Sequence, residues 1–292
     1  MNYNDLLSPD RARVIKNIEE ALSAGDTFRK VETSDPNPTD ADIEKVILPF
    51  DNRRTSPAAR IKKFTARLIA EALTKKVNKD TEIVGLENAL GIEGGAIITS
   101  NHYNPTDSTP IRILAQKLGK KKNLHIVVEE SNIFMTGLFG FLMKNCNTHP
   151  VSRNARYMAK NLKPALDEII KEGGLVLIYP EQEMWYNYKK PRPMRDGAYH
   201  FASEFSVPII PTFTEMVTLD GERDTGGALP IKHILHILPP IYPDKSLSVR
   251  EDRERMMRMD LEAKIKAYKA CYSTPYNSTF VPTRDIAGLI PD

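Results

Sequence analysis

From residue 78 onward, short apolar runs alternate with longer helical patterns, and that alternation leaves few folds open. The runs Glu82–Leu86, Ala96–Thr99, Leu124–Val128, Leu175–Tyr179, Val207–Thr212 and His233–Leu238 read as strands. Segments 110–118, 132–144, 155–172 and 195–205 read as helices, and Arg250–Cys271 as a charged last helix. Strands separated by helices need crossover connections, so the expected fold is α/β, a mixed, largely parallel sheet flanked by helices. Upstream the pattern differs. Pro9–Leu22 reads as a helix with Ser8 as N-cap, Ser34–Asp42 as a Pro- and Asp-rich connection, and 57–77 as a second helix. The expected division is an N-terminal helical region 1–80, an α/β domain 81–272 and a tail 273–292. No internal repeat is visible.

A chain of 292 residues can bury a full core without covalent or metal staples. Its two cysteines, Cys146 and Cys271, stand far apart outside any paired spacing. That speaks against a disulfide framework or a zinc site, so no metal is expected, and it fits a reducing compartment. The most apolar stretch, Ile133–Met143, is 11 residues long, short of the roughly 20 a membrane span needs. Met1–Asp10 is polar and lacks the apolar core of a signal peptide. A sequence pI of 8.6 without a recognition fold argues against nucleic acid.

The chemistry-bearing residues cluster after the run Ala96–Thr99. The loop Ser100-Asn101-His102-Tyr103-Asn104-Pro105-Thr106-Asp107 follows it directly, and Ser108 or Thr109 reads as an N-cap with Pro110 opening the next helix. His102 and Asp107 thus sit at a strand's C-terminal end, where open α/β sheets bind ligands. Neutral imidazole is a base near pH 7, and a carboxylate on its other nitrogen fixes the tautomer and stabilises the imidazolium. The plainer alternative is a His and an Asp that cap loop backbone. A second strand end, Ile178-Tyr179-Pro180-Glu181-Gln182-Glu183-Met184-Trp185, carries two carboxylates and the only tryptophan. A basic loop, Lys189 to Ala198 (KKPRPMRDGA), then enters a helix, and Val207-Pro208-Ile209-Ile210-Pro211 follows.

In this order and spacing, these four segments resemble the 1-acylglycerol-3-phosphate acyltransferase family, the glycerolipid and lysophospholipid acyltransferases. That family shows Asn-His, four residues, then Asp; later Phe-Pro-Glu-Gly-Thr-Arg, a basic-Gly-Ala helix start and Val-Pro-(Ile/Val)-(Ile/Val)-Pro. A weaker likeness lies at Phe134–Arg153, with Gly140 and Arg153 at the family's glycine and arginine. The resemblance covers roughly residues 80–240.

The resemblance implies transfer of a fatty acyl group, in phospholipid biosynthesis, from acyl-CoA or acyl-carrier protein to the hydroxyl of a lysophospholipid or related lipid. His102 would be the general base and Asp107 its orienting partner, with no covalent enzyme intermediate, no metal and no cofactor beyond the thioester co-substrate. Asn101, Arg153, Tyr179, Pro180, Glu181, Gln182, Arg195 and Gly197 would contact substrate. The chain departs from the pattern where Gln182, Glu183 and Met184 replace Gly-Thr-Arg. Glu129-Glu130 stands where a lysine is common. A like charge near the expected phosphate disfavours a phosphate dianion. Either Arg153, Lys189, Lys190, Arg192 or Arg195 restores positive charge, or the acceptor is a lipid with a larger head group, a glycolipid or an amino-acid lipid. Two other classes stay open: an idle lipid-binding protein of this fold, and a thioester hydrolase assisted by Glu181 or Glu183.

The expected partners are the lipid acceptor, the acyl thioester and a membrane surface, with a cytoplasmic location peripheral to the inner face of the membrane. Between Arg53 and Lys79, nine basic residues face one acid, Glu71, while Ile61, Phe64, Leu68, Ile69, Ala72 and Leu73 recur at helical spacing. That helix can lie on anionic lipid, dock an acidic carrier protein or CoA phosphates, or be a plain solvated face; reaching lipid acceptors without a spanning segment favours the first. Phe134, Leu138, Phe139, Phe141 and Leu142 either line an apolar acyl groove or pack the core. Trp185, Tyr186 and Tyr188 read as a lid, an interfacial anchor or loop packing. His125 reads as a sheet residue, His200 as packing on its helix, and His149 as a residue that either lines the site or does not. His233 and His236 fall on opposite faces of one strand and cannot share a metal.

Overall fold

The computed structural model describes residues 10–48, 50, 56–224, 227–277 and 279–289. Ser8 and Pro9 at the expected first helix start lie outside them, as do Arg53 and Arg54 of the basic run and the last three residues of the tail. The N-terminal helices are α1 (Arg11–Ser23), α2 (Asp40–Ile47) and α3 (Pro57–Val77). The second corrects the reading of 34–42 as connection throughout. Thr39 caps it by accepting the Asp42 N–H, and Asp40 and Asp42 favour the positive end of the helix dipole.

The alternating part runs β1 (Glu82–Val84), α4 (Glu87–Leu90), β2 (Ala96–Thr99), α5 (Ser108–Lys117), β3 (Leu124–Glu129), α6 (Gly137–Asn145) and β4 (Thr148–Val151). Then α7 (Ala155–Tyr157) continues through a π-helical turn, Met158–Leu162, into α8 (Lys163–Lys171). There follow β5 (Leu175–Ile178), α9 (Gly197–Phe205), β6 (Ile209–Thr218), β7 (Ile231–Ile237), α10 (Val249–Tyr272) and α11 (Pro282–Asp285). Strand β4 was not among the expected strands because Pro150 interrupts its run; at the sheet edge a missing N–H is tolerated. Strand β6 runs six residues past the expected Thr212, since β7 pairs it antiparallel from Thr212 to Thr218.

Among the described residues, seven strands form one sheet in the order β1-β7-β6-β2-β5-β3-β4. All neighbours are parallel except β6 and β7. The expected mixed, largely parallel sheet is therefore the observed one. Both faces are covered, as a parallel sheet requires. On one, Ile111, Leu114 and Ala115 of α5 pack against Ile98, Leu177 and Leu235. On the other, Leu166, Ile169, Tyr199 and Met256 from α8, α9 and α10 cover Ile97, Val176 and Ile209. Each fully buried Ile or Leu contributes about 1.5–3 kcal/mol, so these faces dominate the stability.

Two further clusters attach the N-terminal region. Val14, Ile18 and Ala21 of α1 share a core with Trp185, Tyr186, Tyr188 and Ile286, so the first helix and the tail close over one loop. Ala66 and Ala70 of α3 pack on Leu142 and Cys146. The apolar stripe of α3 does not follow them inward: Ile61, Phe64 and Leu68 are 68%, 63% and 51% exposed. Among the described residues, no helix is long and apolar enough to cross a membrane.

Candidate active site

Register brings the two key loops together. Strands β2 and β5 are parallel neighbours with Thr99 opposite Ile178, so both end level. The segments 100–107 and 179–184 therefore leave the sheet side by side at its C-terminal edge, as expected for a ligand site in such a sheet.

Within the first loop, Asn104 makes the turn. Its Oδ1 accepts the Thr106 N–H at 2.9 Å and the Thr106 hydroxyl at 2.8 Å, and its carbonyl accepts the Asp107 N–H at 3.1 Å. This folds Asp107 back onto His102. Helix α5 begins at Ser108, two residues before the expected start at Pro110, and Asp107, not Ser108 or Thr109, holds the N-cap position, without capping. Its carboxylate is engaged elsewhere. Oδ2 lies 2.5 Å from His102 Nδ1 and accepts the Tyr103 N–H at 3.2 Å. Oδ1 accepts the Tyr179 hydroxyl at 2.7 Å. Burial, reinforced by Asp107, pushes the Tyr179 phenol well above its ordinary range, so it remains a donor. The Tyr179 ring also lies on the imidazole, with centroids 4.2 Å apart and planes at 17°. With Nδ1 committed to the carboxylate, Nε2 is the ring nitrogen left to act as a base.

The loop backbone is fixed from three sides. Asn101 exchanges hydrogen bonds with Thr214 of β6, donating to its carbonyl at 3.1 Å and accepting its N–H at 2.8 Å. The N–H groups of Trp185 and Asn187 donate to the carbonyls of His102 and Tyr103 at 3.1 and 2.7 Å. The His102 N–H donates to Glu181 at 3.3 Å. Glu181 is 2% exposed and pairs with buried Arg192, whose side chain reaches it at 3.2 Å and whose N–H donates at 3.0 Å. Neither Asn101 nor Glu181 lines the adjoining cavity. Their expected substrate contact gives way to support of the loop, because each already spends its polar atoms on backbone.

That cavity has a volume of about 650 Å³, and His102 and Asp107 both line it. Arg153, Tyr179, Pro180, Gln182, Arg195 and Gly197 line it too. Its apolar wall includes Ala70, Leu73, Phe139, Leu142, Met143 and Phe201. Of the five candidate groove residues, only Phe139 and Leu142 reach it. Leu138 and Phe141 pack on the α3 cluster, and Phe134 on the main core.

The charges sort differently from expectation. Lys190 is buried on Asp285 at 2.8 Å, Arg192 is held by Glu181, and Lys189 donates to the Arg284 carbonyl at 2.9 Å. None of the three lines the cavity. Arg112, Arg153 and Arg195 do, and so do Glu32, Asp35, Glu129 and Glu183. Burial, with Glu129 beside it, pushes the Glu183 carboxyl up. Arg112, on the fifth position after Asp107, was missed; its spacing on α5 was the one available signal. Gln182 has φ 63°, the left-handed region that favours glycine, which accounts for the glycine of the resembled motif at this place. At Gly140 a Cβ would stand 2.0 Å from the Met135 carbonyl oxygen.

Other candidates fall away from the site. His149 is buried with Nε2 2.8 Å from His125 Nδ1 and does not line the cavity. His200 is partly exposed, 3.5 Å from Glu204, rather than packed inward. Trp185, Tyr186 and Tyr188 are buried beneath α1 and form loop packing, not a lid or an anchor.

Residues 76–215 match the family model described as Acyltransferase. No curated protein matches the sequence. Among solved structures, the crystal structure of the 1-acyl-sn-glycerophosphate (LPA) acyltransferase PlsC from Thermotoga maritima is similar at 14% identity, over 91% of this chain and 98% of that one, with a TM-score of 0.49. A likeness at that distance says nothing of chemistry. The family match spans both level loops, from before β2 into β6. Through residues 76–215, just under half of its length, the chain is similar to the acyltransferase family.

Proposed function

We propose that this protein is an O-acyltransferase that moves a fatty acyl group from a thioester to the hydroxyl of a lysophospholipid or related lipid. The observation that carries the reading is the His102 Nδ1–Asp107 Oδ2 contact of 2.5 Å at the wall of a largely apolar cavity. His102 Nε2 takes the proton of the acceptor hydroxyl as its oxygen attacks the thioester carbonyl. The tetrahedral intermediate then expels the thiolate, which leaves with the proton from His102. Acyl-CoA and acyl-carrier protein are the donor classes, and the cavity's apolar wall suits the acyl chain.

Glu32, Asp35, Glu129 and Glu183, which line the same cavity as Arg112, Arg153 and Arg195, favour an acceptor with a larger or zwitterionic head group over a bare phosphomonoester. The exposed Ile61, Phe64 and Leu68 of α3, beside Arg60, Lys62 and Lys63, suit contact with an anionic membrane surface, in keeping with a peripheral cytoplasmic enzyme. Co-sedimentation with anionic vesicles should fall for Phe64→Ser with Leu68→Ser; equal pelleting would remove the membrane from this account.

The test is palmitoyl-CoA consumption against a panel of lysolipids, read by lipid mass spectrometry. An acylated lipid is the expected product. Free fatty acid without acylated lipid would favour the hydrolase, and intact thioester with every acceptor would favour an idle binding protein.

A further inference from the structure

Away from the cavity just described, three donor side chains from three elements converge on the far edge of the sheet. Glu215 of β6 and His236 of β7 lie diagonally across the antiparallel ladder, Phe213 being opposite His236 and Ile234 opposite Glu215. The same register turns His233 to the other face, beside Tyr103, as the strand period requires. Cys271, in the last turn of α10, comes down on the Glu215 and His236 face. His236 Nε2 stands 2.8 Å from Glu215 Oε2 and 3.3 Å from Cys271 Sγ, and one donor atom from each residue lies within 4.8 Å of the other two. Both short contacts use the same ring nitrogen. A nucleophile–base–acid relay would need the thiol and the carboxylate on opposite nitrogens. Convergence on one point is instead the arrangement of ligands around an ion.

The donor set has its own chemistry. Thiolate, imidazole and carboxylate together are ligands of zinc and its borderline-soft neighbours, and two anions balance a divalent charge. Ligands about 2.0–2.3 Å from a tetrahedral zinc stand roughly 3.3–3.7 Å from each other; the His236–Cys271 spacing of 3.3 Å already meets this, and the 2.8 Å His236–Glu215 contact must open by about 0.5 Å. All three residues are half-buried and border a second cavity of about 670 Å³. Its wall is otherwise apolar, formed by Leu238, Pro239, Ile241, Met259 and Ala267 among others, with Lys266 as its one cation among the described residues.

We infer that Glu215, His236 and Cys271 form a three-ligand site for Zn²⁺ or a similar divalent ion, with the fourth position open to this cavity. Binding replaces the Cys271 S–H proton, which goes to solvent, and breaks the His236–Glu215 contact in favour of the ion. The site is separate from the acyl-transfer reading and does not depend on it. It also revises the expectation, drawn from cysteine spacing, that the chain holds no metal.

Equilibrium dialysis of the full chain with Zn²⁺, and titration with Co²⁺ as a spectroscopic probe, test it. The expected result is one ion per chain with a thiolate-to-cobalt charge-transfer band. Cys271→Ser abolishes the band, Glu215→Gln weakens binding by about tenfold or more, and His149→Ala, which alters the other histidine pair, changes neither. Metal-free melting curves of the Cys271 and Glu215 variants should overlay the wild type. No retained ion, or binding unchanged in both Cys271→Ser and Glu215→Gln, overturns the proposal.

Discussion

The phenol ring of Tyr179 lies flat on the imidazole of His102, 4.2 Å between centroids, while its hydroxyl holds the far oxygen of Asp107. One side chain thus fixes both members of the pair, and the level ends of β2 and β5 put it there. Tyr179→Phe keeps the stack and removes a hydrogen bond worth about 1 kcal/mol. We expect kcat to fall roughly fivefold with KM little changed; Tyr179→Ala should cost considerably more. Steady-state kinetics of the two variants check this, and equal losses would deny the hydroxyl its role.

A second prediction concerns acceptor choice. Glu183 lines the cavity where the resembled motif has no acid, with Glu129 close enough to raise it. Glu183→Gln should raise kcat/KM for lysophosphatidic acid relative to lysophosphatidylethanolamine by about fivefold, the effect of relieving ~1 kcal/mol of like-charge repulsion. An unchanged ratio would place the acceptor's phosphate elsewhere.

A third concerns α10. Asp260 and Lys264, both fully buried, form an i,i+4 pair, and Asp260 accepts the hydroxyls of Thr99 and Tyr199 at 2.6 Å each. Burial pushes Lys264 down from its ordinary range, opposed by Asp260. Asp260→Ala leaves that amine without its carboxylate and should cost about 3–5 kcal/mol in urea unfolding. Asp260→Leu with Lys264→Met should recover much of the loss. A single variant as stable as the wild type would contradict the network.

A fourth is a pH dependence of stability. Burial pushes His233 down to about 4, and among the described residues neither ring nitrogen has a hydrogen-bond partner. The unfolded chain protonates near the ordinary 6.5, so between these values it binds a proton that the folded chain refuses. This contribution is complete above about pH 6.5 and is lost as pH falls toward 4, at most about 3 kcal/mol. His233→Phe should flatten that part of the stability–pH curve; equal slopes would assign the loss to other groups.

How much of this was legible in the residues alone varied with the range of the interaction. The apolar runs of β2, β3 and β5 and the helices α5, α9 and α10 lie close to where local pattern put them. Pro150 hid β4, and the prolines before Thr39 hid α2. His102 and Asp107 were readable because both lie in one short loop. The Tyr179 hydroxyl bond, the place of Arg112 and the supporting roles of Asn101 and Glu181 depend on which strands are neighbours, which no single segment reveals. Trp185, Tyr186 and Tyr188 are buried because α1 and the tail cover them from more than 90 residues away in either direction. The Glu215, His236 and Cys271 cluster needs both the β6–β7 register and the docking of α10.

The central claim is that His102, oriented by Asp107, is the base for acyl transfer. Its most direct test is the rate of acylated-lipid formation by His102→Ala beside the wild type, with urea unfolding of both. The account predicts a loss of about 10²–10⁴ in kcat at nearly unchanged stability. Turnover at the wild-type rate by a folded His102→Ala protein would contradict it.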